Sequence, residues 1–189
     1  MLMASAEGHI INTSSVNGFR ASLGGNTPHT AYSTAKFAVK GFSESLINDF
    51  RFNAPHLKVS VVMPGYVGSE IAVNTGRIMG HPKPEDLTDE QIDRLRKRWE
   101  MEGIDDQGMD NDQIRKTLQQ RQDDYSSGGL TPAQGADLML QGVRNEEWRI
   151  FVGKDVEAFD RAVRKYPLET YNLDFGKRVE QEWEQSDDE

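Results

Sequence analysis

Tyr32 and Lys36 stand four residues apart in Tyr32-Ser33-Thr34-Ala35-Lys36. That is about one helical turn, so on a helix the phenol and the ammonium project from the same face. A phenol is a poor base at neutral pH, its reference pKa being near 10. A neighbouring ammonium favours the phenolate, which is how a tyrosine becomes a usable proton donor and acceptor. Such a pair also arises by chance on many helices, so its neighbours decide its meaning. Thr13-Ser14-Ser15 closes a short apolar strand before it, and Pro64-Gly65 stops a β-branched run after it. Taken singly, a serine pair can be a strand-ending turn and Pro-Gly ordinary punctuation.

The elements that must position these groups are legible. Gly8 to Ser15 reads as a short, mostly buried strand, and Val16 to Thr30, rich in Gly, Ser, Asn and Pro, as a loop. From about Ala31 to Phe52, Ala35, Val39, Phe42, Leu46 and Phe50 recur every three or four positions, which predicts a helix burying one stripe. Phe37, Phe42 and Phe50 are expected to pack. Leu57 to Met63 is the second strand. Strand, helix and strand within about 60 residues make a βαβ unit with parallel strands and a right-handed crossover. The Ile10-Ile11 strand is expected to sit centrally in its sheet, paired on both sides and covered on both faces.

Residues 66–86 read as a long loop with room for one short helix. Thr88-Asp89-Glu90-Gln91 has capping-box spacing, and Ile92, Leu95 and Trp99 continue on one face, so a helix is expected over 89–101. Residues 111–122 have Ile114 and Leu118 as anchors and read as a solvated or partly ordered helix. Thr131-Pro132-Ala133-Gln134 repeats the capping pattern, followed by Ala136, Met139, Leu140 and Val143. Trp148 to Gly153 is the last strand, and a helix with Val156, Phe159 and Val163 on one face follows it. The end, Glu180 to Glu189, is acidic and expected to fray.

Bulk properties narrow the function classes. The 189 residues can hold one sizeable core, or a core with an appended subdomain. There are no cysteines, which excludes disulfides and thiolate zinc sites, and His9, His29, His56 and His81 show no ligand spacing, so no metal is expected. No apolar run approaches the roughly 18 residues that span a bilayer, and the N-terminus does not read as a signal peptide. Cytoplasmic residence without a membrane partner is the expectation. The net charge of −9 argues against nucleic acid. Residues 1–75 carry a net +1, leaving −10 for the remainder, so the two parts are expected to be built differently.

Three segments in order, each at the end of a suitable element, carry a specific resemblance: Gly-His-Ile-Ile-Asn-Thr-Ser-Ser-Val-Asn-Gly (8–18), Tyr-Ser-Thr-Ala-Lys (32–36) and Val-Val-Met-Pro-Gly-Tyr-Val-Gly-Ser (61–69). The sequence resembles the short-chain dehydrogenase/reductase family over residues 8–72, and more faintly over 131–165. The resemblance implies an α/β fold, here the C-terminal portion of a doubly wound (Rossmann-type) parallel sheet with a helical, polar insertion. It also implies an NAD or NADP cofactor, an alcohol or ketone substrate, and homo-oligomerisation through the 31–52 helix. Tyr32 would exchange a proton with the substrate oxygen, Ser15 would hydrogen-bond that oxygen, and Lys36 would hold the nicotinamide ribose and assist Tyr32. Ser14 would support the turn. Pro64, Gly65, Val67 and Ser69 match the segment that lies along the nicotinamide, where Gly65 lets the backbone approach closely. Phe19, Tyr66 and Ile71 lean towards an apolar substrate.

Two departures stand out. Ser15 and Tyr32 are 17 residues apart, a few more than the family usually has, with the surplus expected in Gly24-Gly25-Asn26-Thr27-Pro28. No GxxxGxG or GxGxxG pattern for a pyrophosphate occurs anywhere. The resulting expectation is an incomplete Rossmann-type domain over 1–166, with core motifs at 8–72, a helical substrate-loop region at 73–130 and the last helix–strand–helix at 131–165. An acidic tail would occupy 167–189. Two functions stay open: an oxidoreductase whose dinucleotide-binding half lies outside this chain, and a non-catalytic interaction module of the same descent that pairs with another chain. Either way an open strand edge and apolar face are expected.

Overall fold

A computed structural model describes residues 4–21, 29–101, 104–172 and 174–184. The Gly24–Pro28 segment and residues 185–189 fall outside them. The chain forms two compact units, one of residues 1–67 with 133–189 and one of residues 68–132.

The first unit is built on three parallel strands, β1 (Gly8–Thr13), β2 (Leu57–Pro64) and β3 (Arg149–Val152), in the order β1-β2-β3. Gly8 pairs with Leu57 and Thr13 with Val62, while Val61 pairs with Arg149 and Pro64 with Val152. Central β2 carries the predicted β-branched run, with Val61, Val62 and Met63 at 1% exposure or less. Side chains alternate between the two faces. Helix α1 (Thr30–Asn53) crosses over one face, where Phe50, Leu46 and Ile47 pack on Ile10, Leu57 and Val59. On the same face Val156 of α6 (Lys154–Lys165) meets Val16, Val61 and Met63. Helix α5 (Pro132–Arg144) lies against the other face at β3.

β1, read as central in a complete sheet, pairs with β2 alone among the described residues, and Ile11 is 47% exposed, which is the open edge and uncovered face expected of this chain. Three expectations are corrected. The α1 stripe is rotated: Ser33, Ser43 and Phe50 are buried, whereas Ala35, Phe37 and Phe42 are exposed. Two serines can face the core because their hydroxyls are satisfied locally, Ser43 by donating to Val39 O at 2.7 Å and Ser33 to Ala21 O at 2.9 Å. Helix α5 faces the sheet with Gly135 and Gly142 rather than with Ala136 and Leu140. A Cβ on Gly142 would stand 2.7 Å from two carbons of Ile150, so the helix lies too close for any side chain there. Finally, the acidic end is helical through Glu184 as α7 (Phe175–Glu184), anchored on α6. Glu182 is 4% exposed and accepts from Lys165 Nζ at 2.7 Å, while Arg161 donates to its carbonyl at 2.9 Å.

The second unit contains α2 (Ile71–Ile78), α3 (Asp89–Met101) and α4 (Asn111–Ser127). The Thr88 capping box forms, Gln91 N donating to Thr88 Oγ1 at 3.3 Å and Thr88 N to Gln91 Oε1 at 2.8 Å. Asp110 and Gln113 build a second one, which starts α4 and fixes as a helix the stretch that periodicity left open. Ile92, Trp99 and Ile114 form this unit's core, with Leu95 and Leu118 against them.

Candidate active site

The site is assembled at the carboxyl ends of the parallel strands, where α/β sheets bind ligands. After Thr13 the chain leaves β1 and turns at once into a short 3-10 helix, Val16–Gly18, capped by Ser15. Ser14 N donates to Val62 O at 2.8 Å, which extends the β1–β2 ladder by one residue, and Ser14 Oγ donates to Lys36 O at 2.8 Å. Ser14 therefore ties the turn to α1, the supporting part expected of it. Gly18 lets the turn sit there, since a Cβ would meet Ser14 Oγ at 2.6 Å and Lys36 O at 3.3 Å.

Lys36 reaches back to β1. Its Nζ donates to Thr13 O at 3.0 Å and lies 5.4 Å from the centre of the Tyr32 ring. One ammonium thus bonds the strand end that delivers Ser15 and lies near the ring of Tyr32. An ammonium has three donors, so two remain for other acceptors. Tyr32 is 43% exposed. Ser15 is buried, and its Oγ accepts from Asn17 N at 3.2 Å. That bond occupies one lone pair and leaves the hydroxyl hydrogen free to donate, the polarity needed to grip a carbonyl or alkoxide oxygen.

Pro64 and Gly65 end β2 beside this group, Gly65 N donating to Val152 O at 3.0 Å. A Cβ on Gly65 would stand 2.7 Å from Val156 Cγ2 and closer still to the Asp155 carboxylate. The glycine is therefore already required by the packing of β2 on α6, a reason the sequence did not reveal. Val67 is half-buried, with Gly135 of α5 against its side chain. Ser69 lies in the second unit and is half-buried there, next to Gly68, whose N donates to Leu130 O at 2.8 Å. Phe19 is half-buried and packs against the core edge-on to Phe151, at 6.1 Å and 75°. Tyr66 and Ile71 are exposed.

Sequence reasoning missed Asn17 and His29. Asn17 is fully buried, and its Nδ2 donates to Ser33 Oγ at 3.3 Å and lies 3.4 Å from His29 Nδ1. The His29 ring meets that of Tyr32 edge-on, with centroids 6.4 Å apart and planes at 87°. The available signal was an asparagine two residues after Ser15 inside an apolar turn. Among the described residues no cluster of His, Asp and Glu could hold a metal, and no helix is long and apolar enough to cross a membrane.

Known proteins match this geometry. The short chain dehydrogenase family matches residues 1–78. SadH of Mycobacterium tuberculosis, an oxidoreductase by name, is 40% identical over 73 residues, which is 39% of this chain and 25% of that protein. Human dehydrogenase/reductase SDR family member 9 is 38% identical over 71 residues, 38% of this chain and 20% of that protein. The chain thus matches about a quarter or less of the length of these curated relatives. Among solved structures, a short chain dehydrogenase/reductase from Burkholderia phymatum, crystallised in complex with NAD, superposes with a TM-score of 0.56. It is 21% identical, and the match covers 87% of this chain and 50% of that one. That likeness fixes the fold as Rossmann-type α/β. The part of the chain that matches the short-chain dehydrogenase family, residues 1–78, contains Ser15, Tyr32, Lys36 and the Pro64-Gly65 turn.

Proposed function

We propose that this chain carries the acid–base groups of a nicotinamide-dependent alcohol/ketone oxidoreductase. The observation that supports it best is the Lys36 ammonium, in contact with Thr13 O and within 5.4 Å of the Tyr32 ring centre. NAD or NADP, when bound, supplies or takes the hydride. Tyr32 Oη gives the substrate oxygen its proton during reduction and takes it from the hydroxyl during oxidation. Positioned transfer of this kind contributes about 10²–10⁴-fold. The Ser15 hydroxyl donates to the same oxygen. Lys36 would hold the ribose hydroxyls with its two remaining donors, and Pro64, Gly65, Val67 and Ser69 would hold the nicotinamide. These residues fit the nicotinamide end of such a cofactor. The sequence has no glycine-rich turn to fit its pyrophosphate.

A second reading is a non-catalytic module that adds its sheet to another chain. The one-sided pairing of β1 and the 47% exposure of Ile11 favour it, because unpaired strand edges are templates for association. Exposed Phe37 and Phe42 on α1 fit a second copy of the chain in either reading. Titration with NADH, read by nicotinamide fluorescence, separates the two. Saturable binding weakened at least tenfold in Lys36→Ala supports the oxidoreductase. No saturable binding, with the chain held in a stable heteromeric complex, supports the module.

A further inference from the structure

We infer that Asn17 is a positioning residue of this site, acting on Tyr32 through His29 and on Ser15 through its own backbone N–H. The inference rests on the roles proposed above for Tyr32 and Ser15.

The hydrogen-bond arithmetic around Asn17 leaves little freedom. Ser33 Oγ spends its hydrogen on Ala21 O at 2.9 Å, so towards Asn17 it can only accept. The end of the Asn17 amide facing it is therefore the NH₂ group, whose first hydrogen goes to Ser33 Oγ at 3.3 Å. The second points at His29 Nδ1, 3.4 Å away, which must then be the unprotonated ring nitrogen, with the imidazole proton on Nε2. His29 also heads α1, Ser33 N donating to its carbonyl at 2.8 Å. Its ring is thus held from below by Asn17 and presents an edge-on contact to Tyr32 at 6.4 Å. The Asn17 backbone N–H meanwhile occupies a lone pair of Ser15 Oγ. A single buried residue thereby fixes the ring orientation next to the proton-transferring phenol and the donor direction of the neighbouring hydroxyl.

The other end of the amide strengthens the inference. Asn17 Oδ1 is buried with no hydrogen-bond partner among the described residues. An orphaned acceptor is a destabilising feature, and packing alone would be better served by an apolar side chain of similar shape. The residue is explained by what its donor end holds.

Asn17→Leu keeps the volume, removes the orphan and deletes both donors. Stability should stay level or rise. With NAD(P) and an alcohol or ketone, kcat should fall about 10–100-fold, the range expected when a reacting group is misplaced by a fraction of an ångström to an ångström, while KM for the nucleotide is unchanged. His29→Phe keeps the ring contact but removes the Nδ1 acceptor. It should lower kcat about as much as Asn17→Leu, because the backbone N–H of residue 17 still reaches Ser15 Oγ in both variants. The double variant should lose no more than Asn17→Leu alone, since the two residues act in series. A purely structural Asn17 would lower stability and activity together, and wild-type kcat in Asn17→Leu would overturn the inference. Tyr32→Phe keeps the outcomes apart. Its inactivity beside a fully active Asn17→Leu removes the positioning role alone. Wild-type activity in Tyr32→Phe, or no turnover by the unmutated chain, removes the site reading and this inference with it.

Discussion

Replacing Gly18 by alanine tests the contact on which the site geometry depends. The new methyl would stand 2.6 Å from Ser14 Oγ, and 3.3 Å from both Lys36 O and Met63 Cε. The last two neighbours need to give only a few tenths of an ångström. Ser14 Oγ must move outright, yet it is 1% exposed and donates to Lys36 O at 2.8 Å. Giving up that bond costs about 0.5–1.5 kcal/mol, and overpacking of this kind totals about 1–3 kcal/mol. Ser14→Ala alone should cost about 0.5–1.5 kcal/mol, since it removes the bond without crowding. Once that oxygen is gone the alanine at 18 has room, so Gly18→Ala/Ser14→Ala should be about as stable as Ser14→Ala. The cycle should therefore show a coupling of about 1 kcal/mol or more. Urea unfolding followed by far-UV circular dichroism reads it, a loss of 1–2 kcal/mol lowering the midpoint by about 0.5–1 M at a typical slope. A neutral Gly18→Ala, or strict additivity with Ser14→Ala, would mean that the turn does not rest on α1 at Lys36. The support that α1 gives, through Ser14, to the turn bearing Ser15 would fail with it.

Gly142→Ala should destabilise although alanine is about 1 kcal/mol better than glycine in a free helix, because its Cβ meets Ile150 Cγ1 and Cγ2 at 2.7 Å. In a urea series Ile150→Ala should relieve that clash and Ile150→Val should not, since valine keeps both γ carbons. His9 donates to Ser60 Oγ, whose own hydrogen goes to Glu147 O, and burial followed by the charge of Lys58 pushes its pKa below 6.5. The unfolded chain then binds the proton more tightly, so stability should fall as pH drops through about 6.5 towards the lower folded value. His9→Gln should flatten that slope in unfolding measured from pH 8 to 5. Asp160, 6% exposed and bridged to Arg149 at 3.2 Å and Arg164 at 2.9 Å, should cost roughly 2–3 kcal/mol as Asp160→Asn. That is at or below the lower end for a broken buried pair, because Arg164 is 58% exposed; a thermal shift below one degree would remove its structural role.

The strand–helix–strand order, the Thr88 capping box and the shared face of Tyr32 and Lys36 were legible in the sequence. Each has a local signature: a β-branched run, Thr88 three residues before Gln91, a Tyr–Lys spacing of one turn. The facing of α1 and α5 was not. Apolar periodicity assumes that large side chains face the core, whereas α5 approaches the sheet through Gly142, and α1 buries serines whose hydroxyls bond within their own surroundings. The packing constraint on Gly65 was not legible for a related reason, since its crowding comes from Asp155 and Val156, some 90 residues away in the chain. Asn17 escaped notice because its partners Ser33 and His29 come from another element. The acidic end was expected to fray, because the cations that hold Glu182 sit on α6 and no local pattern announces them.

The central claim is that Tyr32 passes the proton while Lys36 joins it to the strand that delivers Ser15. The most direct measurement is nicotinamide absorbance at 340 nm during oxidation of a series of secondary alcohols by the unmutated chain and by Tyr32→Phe, each with NAD and with NADP. The account predicts turnover with one of the two nucleotides and a loss of about 10²-fold or more in Tyr32→Phe with nucleotide binding retained. Equal rates for the two proteins, or no nucleotide-dependent turnover by the unmutated chain, would contradict it.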